Sequence, residues 1–203
     1  MATATKGTIT LQGSAQMISE FLDFGINSIL FQRNIYPENV FMPKKHYGLT
    51  VYMSEDEELR KYLDTVLAQA RSWIEKGQLL QLVLVVLHAD TEETLERWAF
   101  DIEKGEKFEE GTSGKKVELD HKQMQEGMKA VVKQIVSTIT FLPLIEAPVM
   151  FDLLFYTTPG IEVENWDPTK PHMIKGASDS VKIRSWTSKI HTINTAVTYK
   201  AES

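Results

Sequence analysis

The 203-residue chain contains no cysteine. Disulfides, thiolate catalysis and Cys-based zinc sites are thereby removed together. It also lacks a long apolar run: the longest, "LLQLVLVVL" at 79–87, is about half the length a membrane-spanning helix needs. Positive charge is not in excess, since the net charge is −6 and the pI about 5.4. A non-specific surface for nucleic acid or anionic lipid needs clustered Lys and Arg, so neither nucleic acid nor membrane is an expected partner. The beginning, "MATATKGTITLQGS", has no apolar segment that could serve as a secretion signal. The expectation is a soluble, intracellular protein of one domain, or at most two, long enough to bury its own core.

Catalytic signatures are missing as well. The five histidines, His46, His88, His121, His172 and His191, are scattered and lack the i, i+4 pairing of a helical metal site. "GTSGKK" (111–116) has too few residues between its glycines for a phosphate loop and no Ser or Thr after the lysine, and fits a surface loop. There is no GxSxG, GxGxxG or EF-hand pattern. No enzyme activity, metal or cofactor is therefore expected.

What is present is a clear order of elements. "TITLQG" suits a short strand, with Gly13 ending it and Ser14 able to cap the next helix. Ile18, Phe21, Leu22, Gly25 and Ile29 follow at helical spacing, and Met17, Phe24 and Phe31 widen the stripe into a helix for the centre of a fold. "KHYGLTVYM" fits a hairpin. Ser54 and Glu57 form a capping-box pattern before a second helix with Leu59, Leu63, Val66, Leu67, Ala70, Trp73 and Ile74 on one face, stopped by Gly77. "LQLVLVVLHA" predicts a buried strand and "TLERWAFDIE" an alternating one, paired as a hairpin. Residues 104–118 fit a mobile loop, about Leu119 to Leu142 a third helix ended by Pro143, and "VMFDLLFY" a further buried strand. The fold class is α+β, with three helices packed on a mostly antiparallel sheet.

Three features do not suit an undistinguished domain. Phe141 falls on the polar side of the third helix, beside Lys133 and Gln134, either tucked under a loop or in a protein contact, where aromatics are enriched. Glu96 and Trp98 share a strand face, which invites a cationic partner such as Arg33 or Arg184 or is simply sheet packing with a surface ion pair. Finally, "SVKIRSWTSKIHTINTAVTYK" (180–200) follows the last clear strand only after 24 residues (157–180) carrying three prolines. A structureless connection that long is uncommon. The apolar parity of this tail holds at Val181 and Ile183, switches at Trp186 and Ile190, and switches back at Ile193, Val197 and Tyr199. Two short strands or a bulge are implied, with loosely fixed register.

The segments "GSAQMISEFLDFGINSILFQRNIYP", "KHYGLTVYM", "LERWAFDIE", "KQIVSTITFLPLIE" and "SWTSKIHTINTAVTYK" closely resemble the HORMA-domain proteins of the spindle assembly checkpoint, in matching order across nearly the whole chain. The resemblance implies a single HORMA domain over 1–203, with a core at about 10–156 and a mobile C-terminal safety belt at about 157–203. In such proteins the belt strands pair on one side of the sheet in an open state. In a closed state they cross to the other side, displacing an N-terminal strand (here near Ile9 to Leu11), and a partner peptide adds to the exposed edge. Implied partners are the checkpoint scaffold (mitotic arrest deficient protein one), the anaphase coactivator (cell division cycle protein twenty), the mitotic checkpoint complex, a dimer of open and closed copies, and an AAA+ ATPase with its adaptor. The outcome is inhibition of the anaphase-promoting ubiquitin ligase, at kinetochores, in the nucleus and in the cytoplasm.

By position, the resemblance implies that Lys133, Gln134 and Phe141 form the self-association face; arginine is common where Lys133 stands, and lysine lacks its planar fork. Arg33, Glu96, Trp98, Trp73, Phe151 and Leu153 would support the peptide site and belt. Trp186, Ile190, His191, Thr195, Val197 and Tyr199 would lie in the belt, where Thr192 replaces a frequent lysine and the 157–176 linker matches poorly. Two alternatives remain open on sequence: the HORMA adaptor of translesion polymerase zeta, and, much less well supported, a small α+β enzyme.

Overall fold

In the computed structural model, which describes residues 6–105, 117–161 and 166–201, the first helix starts earlier than its sequence suggests. Strand β1 (Lys6–Ile9) leads into α1 (Leu11–Gln32), whose N-cap is Thr10: its Oγ1 accepts from the Gly13 backbone N–H at 3.1 Å. Gly13 therefore lies inside the helix, Ser14 is buried within its first turn rather than capping it, and Leu11 is helical rather than part of the N-terminal strand. Helix α1 buries Ile18, Phe21, Leu22, Phe24, Ile26, Ile29 and Leu30, which the wide apolar stripe foretold.

Strands β2 (Phe41–His46) and β3 (Leu49–Ser54) form the expected hairpin. Helix α2 (Glu57–Glu75) is capped by Asp56, which accepts from the Leu59 N–H at 2.8 Å, and not by Ser54. The closer carboxylate wins because it adds charge at the positive end of the helix dipole. Gly77, at φ +67°, ends α2 in a backbone conformation that disfavours a side chain.

Strands β4 (Leu79–His88) and β5 (Thr94–Lys104) pair antiparallel. Across the end of the expected loop and the expected start of the third helix, β6 (Val117–Asp120) pairs with β1, and α3 (His121–Ile139) begins after Asp120, which caps it through the Lys122 and Gln123 amides. "GTSGKK" lies outside the described residues. The apolar face of α3 is buried as expected at Met124, Met128, Val131, Ile135 and Ile139, but the helix ends at Ile139 rather than near Leu142, which is buried in the turn beyond it.

Strand β7 (Val149–Thr157) is not a central buried strand: among the described residues it has one neighbour, β4, and buries only Leu153 and Leu154. The tail supplies two strands, β8 (Ser178–Thr187) and β9 (His191–Lys200). The main sheet has the order β7-β4-β5-β9-β8, antiparallel throughout. All three helices lie on one face, over a core that includes Phe21, Trp98, Phe100, Ile193 and Val197. A small apolar cluster, Val83, Val85, Leu87 and Leu154 with Tyr156 and Ala99, lies on the other.

Candidate functional site

The parity switches in the tail have two separate causes. Between Ile183 and Trp186 the β8–β9 register shifts, so Arg184 and Ser185 bulge. Ser188, Lys189 and Ile190 then form the turn, with Lys189 at φ +71° and Ile190 fully buried. The two features return Trp186, His191, Ile193, Thr195 and Val197 to the helix-facing side of the sheet, all buried.

That hairpin occupies the β5 side. Val197 pairs with Trp98, Thr195 with Phe100 and Tyr199 with Glu96. Trp186 stacks on Phe21 with centroids 5.6 Å apart and donates through Nε1 to the Met124 carbonyl at 3.0 Å. Buried Ile9 lies in β1, outside the main sheet. At the hairpin turn, Ser14 Oγ lies 2.5 Å from Ser188 Oγ and 2.8 Å from His191 Nδ1, all three residues being buried. Burial, then the positive charge of Lys104, push the His191 pKa down to about 4, with the Ile74 backbone opposing weakly. Among the described residues, its Nε2 and the Thr195 hydroxyl are buried without a hydrogen-bond partner. Sequence reasoning named His191 and Thr195 but missed Ser14 and Ser188, whose spacing of 174 residues leaves no local signal.

The Glu96–Trp98 pair acquires the partner it needed. The Arg33 guanidinium ion-pairs with Glu96 and donates to the Pro143 carbonyl at 2.7 Å, while Trp98 Nε1 donates to the other Glu96 oxygen at 3.0 Å. Arg33 is 8% exposed and Glu96 2%, so the charge is buried but paired. Arg184, the alternative partner, is on the surface, its backbone N–H donating to Gln134 Oε1 at 2.9 Å. Lys133 is exposed. Phe141 is 82% exposed and Leu144 79%, so Phe141 is not tucked under a loop.

On the opposite side of the sheet, β7 is an unpaired edge among the described residues. Phe151 sits between the rings of Tyr36 and Tyr62, at 6.0 and 5.9 Å, and Leu153 faces the core, opposite Leu84. Phe155 meets Trp73 edge-on at 4.9 Å and Trp166 at 5.1 Å. Trp166, a lone aromatic in the Pro-rich linker, thus anchors the linker on the helix side of β7. That large aromatic side chain in the Pro-rich linker was a signal the sequence carried. Six residues later the linker is on the other face, where Arg97 binds the carbonyls of Pro171 and His172 and reaches Tyr156 Oη at 3.3 Å. Residues 166–172 therefore cross over the free edge of β7.

A five-stranded sheet with one edge closed by a C-terminal hairpin and the other bare beneath a crossing linker is a specific arrangement. The HORMA domain family matches residues 14–196. The chain belongs to the HORMA-domain family. The HORMA domain here is 42% identical to the human mitotic spindle assembly checkpoint protein MAD2A over 193 residues, covering 95% of this chain and 93% of that one. It is 32% identical to the mitotic spindle checkpoint component MAD2 of Saccharomyces cerevisiae over 196 residues, with 95% and 98% covered. Among solved structures, a chain of the mitotic checkpoint complex superposes with a TM-score of 0.82 at 32% identity, over 94% of this HORMA domain and all of that chain. The HTP-2 protein of C. elegans, in a complex with a HIM-3 closure motif, shares the fold at a TM-score of 0.79 and 16% identity, with 96% and 93% covered.

Proposed function

We propose that this protein is a non-enzymatic component of the spindle assembly checkpoint that captures an extended partner peptide on the β7 edge and locks it beneath the linker. The observation that carries the reading is the bare β7 edge under residues 166–172, with the C-terminal hairpin fastened to β5. A peptide adding there would complete its backbone hydrogen bonds with β7, as strand addition requires. Relatives that match 95% of the chain are spindle checkpoint proteins, which disfavours the polymerase-zeta alternative.

On this reading the protein is in the closed arrangement. Partners are a peptide of the checkpoint scaffold or of the anaphase coactivator, the latter as part of a mitotic checkpoint complex that restrains the anaphase-promoting ligase. Lys133, Gln134 and Phe141 form the face for a second, open copy. An AAA+ ATPase with its adaptor reverses the closed state, and the sites of action are kinetochores, nucleus and cytoplasm. Arg33, Glu96 and Trp98 hold the closed hairpin through β5; Trp73, Phe151 and Leu153 shape the peptide edge. Fluorescence anisotropy with a labelled coactivator peptide, against a peptide of the translesion polymerase, tests the reading. Retention of the coactivator peptide alone is expected; preference for the polymerase peptide would overturn it.

A further inference from the structure

Arg97 lies in β5 between inward-facing Glu96 and Trp98, so its own side chain projects from the face that the helices leave uncovered. From there it extends across β4 to Tyr156 on β7 and to the linker. One guanidinium nitrogen donates to the carbonyls of both Pro171 and His172, the second at 2.9 Å. Two successive carbonyls in extended chain point to opposite sides. His172, at φ +45°, departs from extended geometry, and both oxygens turn to one cation. A non-glycine residue holds such a φ only where its surroundings impose it. Among the described residues no other hydrogen bond ties 166–176 to the sheet; the next ones are Thr158 N–H to the Gln78 carbonyl before it and Ala201 N–H to the Ala177 carbonyl after it.

We propose that Arg97 is the buckle of the linker: a positioning residue that sets how long a captured peptide is retained, without choosing which fold the chain adopts. The inference rests on the peptide-capture reading above. A peptide on the β7 edge leaves only when residues 166–172 lift away. Lifting them breaks the charge-assisted bonds of Arg97, while the hairpin pairing of β9 with β5, which defines the fold, can persist. Arg97 thus acts on the rate of release, and the ion pair of Arg33 with Glu96, on the buried face of the same strand, acts on the closed fold itself.

The test is a competition chase in which the fluorescein-labelled coactivator peptide is bound first and unlabelled peptide is added in excess. It compares the wild type with Arg97→Ala, Arg97→Lys and Tyr156→Phe, and records the melting midpoint of each peptide-free protein. Release is expected to be about tenfold or more faster in Arg97→Ala, the loss of one charged hydrogen-bonding group. Arg97→Lys, with a charge but no fork, is expected between the two, Tyr156→Phe close to wild type, and association rates and midpoints nearly unchanged. Unchanged release in Arg97→Ala overturns the inference, as does faster release matched by an equal fall in the midpoint and no recovery with lysine. If Arg97→Ala does not fold, wild-type release in Arg97→Lys overturns it and intermediate release supports it. A wild-type protein that fails to retain the peptide overturns peptide capture itself, whereas retention with unaltered release in Arg97→Ala overturns only the buckle.

Discussion

Two side chains in the C-terminal hairpin, His191 and Thr195, are held at a cost, and the cost is local enough to measure. His191 is neutral when buried beside Ser14 and Ser188, with its pKa near 4 against an ordinary 6.5. In a released or unfolded chain the imidazole regains its ordinary affinity for protons. Between about pH 6.5 and 4 the released chain therefore binds the extra proton, so stability of the folded form falls as pH falls through that window and is fully present above it. Melting profiles of the wild type and His191→Gln are expected to diverge between pH 7 and 5, the wild type falling more steeply; parallel profiles would remove His191 from the account. Thr195 offers a second case. Its hydroxyl is buried and, among the described residues, unpaired, and such a group costs on the order of 1–3 kcal/mol. Thr195→Val keeps the shape and removes the orphan, so a rise in melting midpoint of a few degrees is expected by differential scanning calorimetry. By contrast Glu96→Ala strands the Arg33 charge in the core and is expected to destabilise by about 3–5 kcal/mol in denaturant titration.

Between elements, the contact of α3 with β8 decides a similar question. A Cβ at Gly127 would lie 2.8 Å from Trp186 Cδ1, and that indole is fixed by its stack on Phe21 and its bond to Met124. Alanine in a helix interior is favoured over glycine by roughly 1 kcal/mol, so propensity alone predicts that Gly127→Ala stabilises. The clash predicts the opposite whenever β8 is docked. The closed species is expected to lose melting temperature in this variant; a gain would mean that Trp186 is not seated there. Much of this element layer was legible beforehand. The helices and hairpins announce themselves through apolar period and alternation, and the double parity switch announces a bulge and a turn in the tail. The errors fall where short-range chemistry competes, Thr10 over Ser14 and Asp56 over Ser54, and at β6, whose four-residue alternation Val-Glu-Leu-Asp is too short to stand out until β1 pairs with it. The bare edge of β7 was illegible too, because Val, Phe and Leu at 149–155 suit a buried strand as well as one awaiting a partner. Arg97 was hidden by its neighbours, since Glu96 and Trp98 supply the anomaly that draws attention to the inner face.

For the molecule as a whole, the long linker and the C-terminal hairpin belong to one device. A chain that ends β7 on one edge and pairs β9 on the far side of β5 needs residues 158–177 to make the crossing. If the same hairpin can also pair elsewhere, the two arrangements must lie within a few kcal/mol of each other. About 5.5 kcal/mol of differential binding then moves the population from 1:99 to 99:1. The buried mismatches at His191 and Thr195 lower the stability of the hairpin as it is docked on β5. Ion-exchange chromatography of the peptide-free protein, repeated after addition of the coactivator peptide, tests this most directly. Two slowly exchanging monomer peaks that merge into one with peptide are predicted; a single peak that peptide leaves in place would contradict the account.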